Sequence, residues 1–275
     1  MFQVLTNQMI VPNIHLLTVE APEVAREFRP GQFIILRAEE DGERIPLSVS
    51  DWDAKAGTLT ILFMNVGSTT DRLASVAAGT SLPTVVGPLG NPTEIENWGT
   101  VLCIGGCYGI GSIYPIARAL KACGNRVITA IESRSSYLLY WEDKLRSVSD
   151  ELFFITRDGT RGMRGHVGRL QEILAVQKAP VQRIIVNGCT FVSKRVADFS
   201  RPLEIKTIVS LNPIMIDGTG MCGVCRVTVG NARKFACVDG PDFDAAEVDW
   251  HELMLRRRQY MAEEVVPFHS SRCDH

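Results

Sequence analysis

The chain has 275 residues, of which 45% are hydrophobic and 22% charged, with a formal net charge of −2. That balance excludes wholesale disorder and leaves no electrostatic footprint for a nucleic-acid partner, and the length suits about two domains with a small extra module. No apolar run approaches the roughly 20 residues of a membrane span, and the start lacks a basic segment leading into an apolar core, so neither a span nor a signal peptide is expected.

Residues 1–97 read as β structure. Runs rich in Val, Ile, Leu and Phe at Ile14–Val19, Gln32–Arg37, Thr58–Met64 and Ser81–Val86 are separated by glycine-containing turns. With no convincing helix between them, they predict a small antiparallel barrel. Within this segment Arg44-Ile45-Pro46-Leu47-Ser48 offers a guanidinium for a phosphate and a hydroxyl for a flavin ring nitrogen. Taken alone it is an ordinary exposed turn and strand. The same holds for Gly67-Ser68-Thr69-Thr70 and Gly87–Gly90, which read as turns.

Residues 98–211 alternate strand and helix. Strands are expected at Val101–Gly105, Arg126–Glu132, Glu151–Thr156, Val181–Gly188 and Ile205–Leu211, and helices at Ile113–Ala122, Tyr137–Arg146, Val167–Ala175 and Val192–Phe199. That spacing predicts a doubly wound parallel sheet. Gly105-Gly106-Cys107-Tyr108-Gly109-Ile110-Gly111 follows the first strand and precedes the first helix, the context of a nucleotide pyrophosphate loop. Tight strand–helix packing is the competing reading. After the second strand, Glu132 suits a free ribose diol, whereas Arg134 with Ser133 and Ser135 suits a 2′-phosphate. Asn187-Gly188-Cys189 ends the fourth expected strand at the nicotinamide crevice, although Cys189 also reads as a structural thiol. His166 reads as a helix-start residue rather than a base.

Residues 212–275 change character again, to a Gly- and Cys-containing loop followed by an expected helix at Trp250–Glu263. Arg256, Arg257 and Arg258 on that helix could dock a larger subunit or form a solvated face. The chain has eight cysteines, too few for a disulfide scaffold at this length. Three of them cluster in this segment, which suits a metal site in a reducing, cytoplasmic setting. The spacing is Asp217-x4-Cys222-x2-Cys225-x11-Cys237. A plant-type [2Fe–2S] loop uses Cys-x4-Cys-x2-Cys with a distant fourth Cys; here Asp217, a harder anionic donor that iron accepts, stands first. A zinc site, or three unrelated thiols beside an Asp-Gly turn, is the competing reading.

The ordered set, flavin-type barrel, glycine loop and C-terminal cysteine loop, resembles the ferredoxin–NADP reductase superfamily. More narrowly it resembles the dihydroorotate dehydrogenase electron-transfer subunit branch, including the small subunits of NADH-dependent ferredoxin:NADP oxidoreductases. The resemblance covers essentially the whole chain and is most specific over Thr207–Gly230 and Lys234–Asp244. It implies FAD on the barrel, with Arg44, Pro46, Leu47 and Ser48 as one flavin segment and Gly67, Thr69 and Thr70 as the second. It implies a nucleotide site at Gly105, Gly106, Gly109 and Gly111, to which Ser133, Arg134 and Cys189 are added by their positions after strands, and a [2Fe–2S] cluster held by Asp217, Cys222, Cys225 and Cys237. It leans to NAD(H) over NADP(H).

Two departures stand out: the family loop runs G-G-G-x-G where Cys107-Tyr108 stand here, and its later G-P is here Gly188-Cys189-Thr190. The implied function is electron exchange between NAD(P)H and a larger flavin- and iron–sulfur-containing subunit, in an electron-bifurcating complex. Two other readings remain. One is the diaphorase subunit of a sulfhydrogenase or heterodisulfide-reductase-type complex. The other is a non-catalytic subunit that keeps FAD and cluster but does not turn over nucleotide.

Overall fold

The computed structural model describes residues 1–259. The last residues of the expected helix Trp250–Glu263, and Cys273, lie outside the described residues.

The first part of the chain runs β1 (Phe2–Val11), β2 (Ile14–Glu20), α1 (Pro22–Glu27), β3 (Phe33–Arg37), β4 (Ile45–Asp53), β5 (Thr58–Met64), α2 (Ser68–Ser75), β6 (Ser81–Leu82) and β7 (Thr84–Leu89). The strands form one antiparallel sheet in the order β6-β1-β2-β5-β4-β3-β7. Its two end strands are joined through Pro83 alone, which bends the sheet into a nearly closed barrel. The interior is filled by Leu17, Val19, Ile34, Leu36, Leu59, Ile61 and Phe63. Alternation along β5 explains why: Leu59 and Ile61 turn inward between half-buried threonines.

Three expectations need correction here. The expected run Ser81–Val86 is two strands, because Pro83 cannot donate to a ladder. The barrel also carries two short helices, α1 and α2. Gly67–Thr70 is therefore not an isolated turn: Gly67 is the N-cap of α2, and the Thr70 hydroxyl accepts from the Gly67 amide at 2.9 Å.

The middle of the chain runs β8 (Thr100–Gly106), α3 (Gly109–Ala122), β9 (Arg126–Ser133), α4 (Glu142–Ser147), β10 (Glu151–Thr156), β11 (Met163–Arg164), α5 (Leu170–Ala175), β12 (Arg183–Asn187), α6 (Thr190–Ser200) and β13 (Lys206–Ser210). These strands are parallel. The sheet order is β11-β10-β9-β8-β12-β13-β16, where β16 (Asp242–Asp244) comes from the C-terminal segment and pairs antiparallel with β13. The chain winds outward from β8 through β9 and β10, then crosses to β12 on the other side. The gap between the C-terminal ends of β8 and β12 is thus the topological switch point, where open α/β sheets take their ligands. The helix expected over Tyr137–Arg146 is interrupted at Trp141, whose φ of 57° is left-handed. Only a 3-10 turn at Ser136–Leu138 and the short α4 flank it.

The C-terminal segment adds a hairpin, β14 (Arg226–Val229) with β15 (Ala232–Phe235), and α7 (Trp250–Arg257). Cys225, Val227, Ala236, Cys237, Trp250 and Leu253 share one core with Leu102, Ile104 and Val186 of the parallel sheet. A different core joins the parallel sheet to the barrel, where Ile14 and Leu62 pack with Val101, Ile110 and Ile113. None of the helices among the described residues is long and apolar enough to cross a membrane.

Candidate functional site

Four pieces of chain make up the candidate site. The first is the start of β4. Arg44 lies immediately before the strand. Pro46, Leu47 and Ser48 pair across β3 with Ile35, Ile34 and Phe33. Strand alternation leaves Ser48 exposed while Val49 is buried. Beyond it, Ser50 is 1% exposed and its hydroxyl has no hydrogen-bond partner.

The second piece is the N-terminus of α2. Thr69 donates its hydroxyl to Glu43 at 2.7 Å, and Arg72 meets Glu39 at 3.1 Å. The two segments singled out from sequence, Arg44–Ser48 and Gly67–Thr70, are therefore stitched together. The Cα–H of Gly67 faces open space, with no atom within 4 Å of where a Cβ would sit. An open helix N-terminus joined through Thr69 to Glu43, the residue before Arg44, fits a diphosphate.

The third piece is the cysteine loop. Gly218, Gly220 and Gly223 all have positive φ, which lets the backbone coil around the intervening side chains. Cys225 and Cys237 stand side by side with their sulfurs 3.2 Å apart, both buried. Burial, together with the neighbouring Cys225 sulfur, pushes the Cys237 thiol well above its ordinary range, while the Gly220 backbone hydrogen-bonds toward it. Cys222 is exposed on the loop; hydrogen bonds from the backbone of Val224, and then of Asp217 and Ile216, hold its thiol below the usual range. Asp217 is held well ionised by the Thr219 hydroxyl and by the Thr219 and Met221 amides, all on Oδ2, the amides at 2.9 and 3.3 Å. Among the described residues, no three His, Cys, Asp or Glu side chains form a preassembled cage. The donor set fits an iron–sulfur cluster nonetheless. Two sulfurs are already paired, a third and an anionic oxygen lie on the same loop, and backbone amides point at the sulfurs.

This loop sits on the barrel. A Cβ on Gly218 would come within 2.9 Å of Ile35 and Leu89. Arg44 donates from Nε to the Ile216 carbonyl at 3.1 Å and from Nη2 to the Asp217 carbonyl at 3.3 Å. Asn91 donates to the Val238 carbonyl at 3.0 Å, and Thr93 to Asp242 at 2.6 Å. From the other side, Arg256 holds the Val224 carbonyl and Arg257 the Asn212 carbonyl, each at 2.9 Å. Two of the three arginines expected either to dock a partner or to face solvent thus also bond to this segment, Arg257 while exposed.

The fourth piece is the switch point. Gly105 and Gly106 end β8, and Gly109 and Gly111 open α3. Their bareness has a packing reason: a Cβ on Gly109 would collide with the Asn187 carbonyl, and one on Gly111 with Leu62 of the barrel. The first turn of α3 is thereby pulled into the crevice between the two sheets, with its amide end toward the gap. Three residues missed from sequence brace this loop. Tyr140 donates to the Cys107 carbonyl at 2.9 Å and accepts from the Gly111 amide at 3.2 Å. Tyr108 donates to the Gly188 carbonyl at 3.2 Å and accepts from Asn212, whose Oδ1 takes the Thr190 hydroxyl at 3.0 Å. Burial raises both phenols above their ordinary range, so they act as neutral hydrogen-bonding groups. Partners as distant in sequence as Tyr108 and Asn212 leave no local signal.

Further along the crevice, Ser133 is buried and donates to the Ser135 carbonyl at 2.6 Å, whereas Arg134 is exposed. Glu132 does not face a ribose. Its side chain is 3% exposed and accepts from the Val167 amide at 2.9 Å, with His166 Nδ1 at 3.1 Å and Arg157 at 3.6 Å. His166 is the N-cap of the turn that supplies that amide. Cys189 is the N-cap of α6, partly exposed at the crevice.

A model of the iron–sulfur cluster binding domain of dihydroorotate dehydrogenase B matches residues 212–249. A dihydroorotate dehydrogenase B (NAD(+)) electron transfer subunit homolog from Thermotoga maritima is 44% identical over 251 residues, spanning 91% of this chain and 88% of that protein. The electron transfer subunit of Enterococcus faecalis is 29% identical and spans 90% of this chain and 97% of that one. Among solved structures, a chain of the NADH-dependent reduced ferredoxin-NADP oxidoreductase superposes with a TM-score of 0.91 at 41% identity, covering 95% of this chain and 94% of that chain. A ferredoxin NADP+ reductase from Neisseria gonorrhoeae with bound FAD and NADP shares the fold, at a TM-score of 0.61 and 17% identity over 74% of this chain and 90% of that one. The paired barrel and parallel sheet, the cysteine loop and the extent of identity together make this chain a member of the dihydroorotate dehydrogenase B (NAD(+)) electron transfer subunit family and its homologs.

Proposed function

We propose that this chain is an electron-transfer flavoprotein subunit that exchanges electrons between NAD(P)H and a larger flavin- and iron–sulfur-containing subunit, through FAD and a [2Fe–2S] cluster. The complex it serves is of the electron-bifurcating ferredoxin:NADP oxidoreductase type. The observation that carries this reading is the Arg44 guanidinium, which joins the flavin segment to the carbonyls of Ile216 and Asp217 on the cysteine loop. Arg44 thus keeps the proposed flavin segment and the cysteine loop adjacent, and electron transfer between groups held on each requires such proximity.

When bound, a flavin supplies the exchange between the two-electron hydride chemistry of a nicotinamide and the one-electron chemistry of a cluster. The residues of the chain position and insulate. Ser48 offers an exposed hydroxyl to the ring, and Arg44 with the amide end of α2 receives the diphosphate. Asp217, Cys222, Cys225 and Cys237 would hold the cluster, and the Thr219 and Met221 contacts of Asp217 all fall on Oδ2. Gly105, Gly106, Gly109 and Gly111 admit the nucleotide to the switch point. No acid–base group is needed, and the neutral phenols of Tyr108 and Tyr140 serve to hold the loop.

Because the charge of Glu132 is spent on Val167, His166 and Arg157, it gives no reason to exclude a 2′-phosphate. Exposed Arg134 remains available to one, so the site accommodates NAD(H) or NADP(H). Ile216, Met221 and Val238 are 51%, 88% and 43% exposed around the cysteine loop, an apolar face suited to the partner subunit. Anaerobically purified protein should release stoichiometric FAD and show a [2Fe–2S] spectrum. Recovery of FMN, or of no flavin, from iron-replete preparations would rule the assignment out.

A further inference from the structure

Cys107 and Cys189 stand where the family pattern has glycine and proline, and neither has a place in the electron path described above. They emerge from adjacent parallel strands. The last paired residues of β8 and β12 are Gly105 and Asn187, so Cys107 and Cys189 each stand two residues beyond the end of that ladder. The chains stay in contact there: a Cβ on Gly188 would lie 3.3–3.5 Å from the Gly106 backbone. Where the ladder ends, neighbouring strands lie roughly 4.8 Å apart, a spacing that falls within the Cα span of about 4.4–6.8 Å that a disulfide bridges. Cys189 is close enough to act on Cys107. Burial first, and then the proximity of Cys189, raise the Cys107 thiol above its ordinary range, against the pull of Arg157 and Arg134.

The backbone adds a second observation. Cys107 has a φ of 54°, where a residue with a side chain costs roughly 1 kcal/mol more than glycine. The loop is held in that conformation by the Tyr140 hydroxyl on the Cys107 carbonyl at 2.9 Å and by the Cys107 amide on the Glu132 carbonyl at 3.2 Å. Cys107 is therefore held beside the switch point, half-buried, at a cost in backbone energy. Among the described residues, the remaining thiols outside the cysteine loop are placed differently. Cys103 is fully buried within β8 and pushed up to about 12 by burial, and Cys123 is exposed at the far end of α3.

We propose that Cys107 and Cys189 are a reversible dithiol site that, oxidised by a low-molecular-weight disulfide, closes a bond across the switch point and shuts out the pyridine nucleotide. This rests on the reading that the switch point binds that nucleotide. In the first step the Cys189 thiolate attacks the external disulfide, forming a mixed disulfide and releasing one thiol. Cys107, its proton lost to solvent, then attacks the Cys189 sulfur and releases the second thiol. Two protein thiols are oxidised by two electrons and one external disulfide is reduced to two thiols, so the exchange balances and a dithiol reductant reverses it.

The test uses the full chain with its cofactors, anaerobically, with glutathione disulfide as the probe. Peptide mapping should recover a Cys107–Cys189 cross-link, and the Kd for NADH or NADPH should rise at least tenfold, returning on treatment with dithiothreitol. Cys107→Gly, which suits the local backbone, should show the same Kd before and after glutathione disulfide. Absence of the cross-link, a cross-link with unchanged Kd, or an equal loss in Cys107→Gly would overturn the proposal. Failure of the reduced wild-type protein to bind either nucleotide would instead refute the functional reading, since the cross-link is scored without nucleotide.

Discussion

Arg44 and Asp217, 173 positions apart, are joined by a 3.3 Å hydrogen bond from the Arg44 guanidinium to the Asp217 main-chain carbonyl. One side chain thereby joins two segments: it stands just before β4, the proposed flavin strand, and it clamps the loop that carries the cysteines. Its second bond, to Ile216 at 3.1 Å, makes the contact two-pronged, which a lysine cannot reproduce.

Arg44→Ala should therefore weaken FAD binding by at least tenfold and also make the iron–sulfur spectrum decay several-fold faster under a chelator. Two hydrogen bonds from a half-exposed charged group are worth about 1–2 kcal/mol here, enough for both effects. Arg44→Lys should fall between the two. If FAD affinity drops while cluster lifetime is unchanged, the clamp on the cysteine loop has no role.

Asp217→Ala should leave the cluster labile. Asp217→Cys should retain it with a shifted potential and altered EPR g-values, because a thiolate bonds iron more covalently than a carboxylate. Unchanged spectra and stability in both variants would show that Asp217 only shapes the turn it makes with Thr219 and Met221.

A second junction holds the barrel to the parallel sheet. Asp51 on β4 receives Arg118 of α3 and Lys144 of α4, each at 2.8 Å, and Asp51 is only 19% exposed. Arg118 also lies 4.7 Å over Trp52, and Lys144 4.3 Å over Trp141. Asp51→Ala removes the shared anion and should cost about 1–2 kcal/mol, read as a lower Tm, with nucleotide-to-dye reduction slowed more than flavin binding. A Tm equal to wild type would show the junction to be ornamental.

Asp242 is buried beside Thr93, and burial raises its carboxyl above the usual range despite that hydrogen bond and one from Ser210. The folded state thus holds its proton to higher pH than the unfolded state does. Its stabilising contribution is complete below the ordinary carboxyl pKa of about 3.9 and is lost as pH rises through the raised folded value. Against Asp242→Asn, wild-type stability should decline as pH climbs through that window and then level. Parallel stability–pH curves would contradict the assignment.

Much of this architecture is legible in the sequence where the signal is local. The run from Val101 into the glycines, the spacing of Asp217, Cys222, Cys225 and Cys237, and the alternation of strand and helix after Trp98 each follow from short-range chemistry. What escaped is long-range or weakly patterned. β1 is ten residues long, yet only Val4 on it is buried, so it carries no alternating apolar face to read. β16 is three residues in a loop-like stretch and becomes a strand because β13 has a free edge. Trp141 breaks an otherwise helical run by a left-handed turn that no glycine or proline announces. Glu132 looks like a ligand contact at a strand end until a turn 35 residues later caps it. Tyr108 and Asn212 meet only through the fold.

The most direct test of the central claim is anaerobic reconstitution of the isolated chain with and without a flavin- and iron–sulfur-containing large subunit, following nucleotide and ferredoxin absorbance together. The account predicts that the chain alone passes electrons from NADH or NADPH to artificial dyes, and that coupling of NADH, NADP and ferredoxin appears only with the large subunit. Full coupled turnover by the chain alone, or no dye reduction by a chain loaded with FAD and cluster, would contradict it.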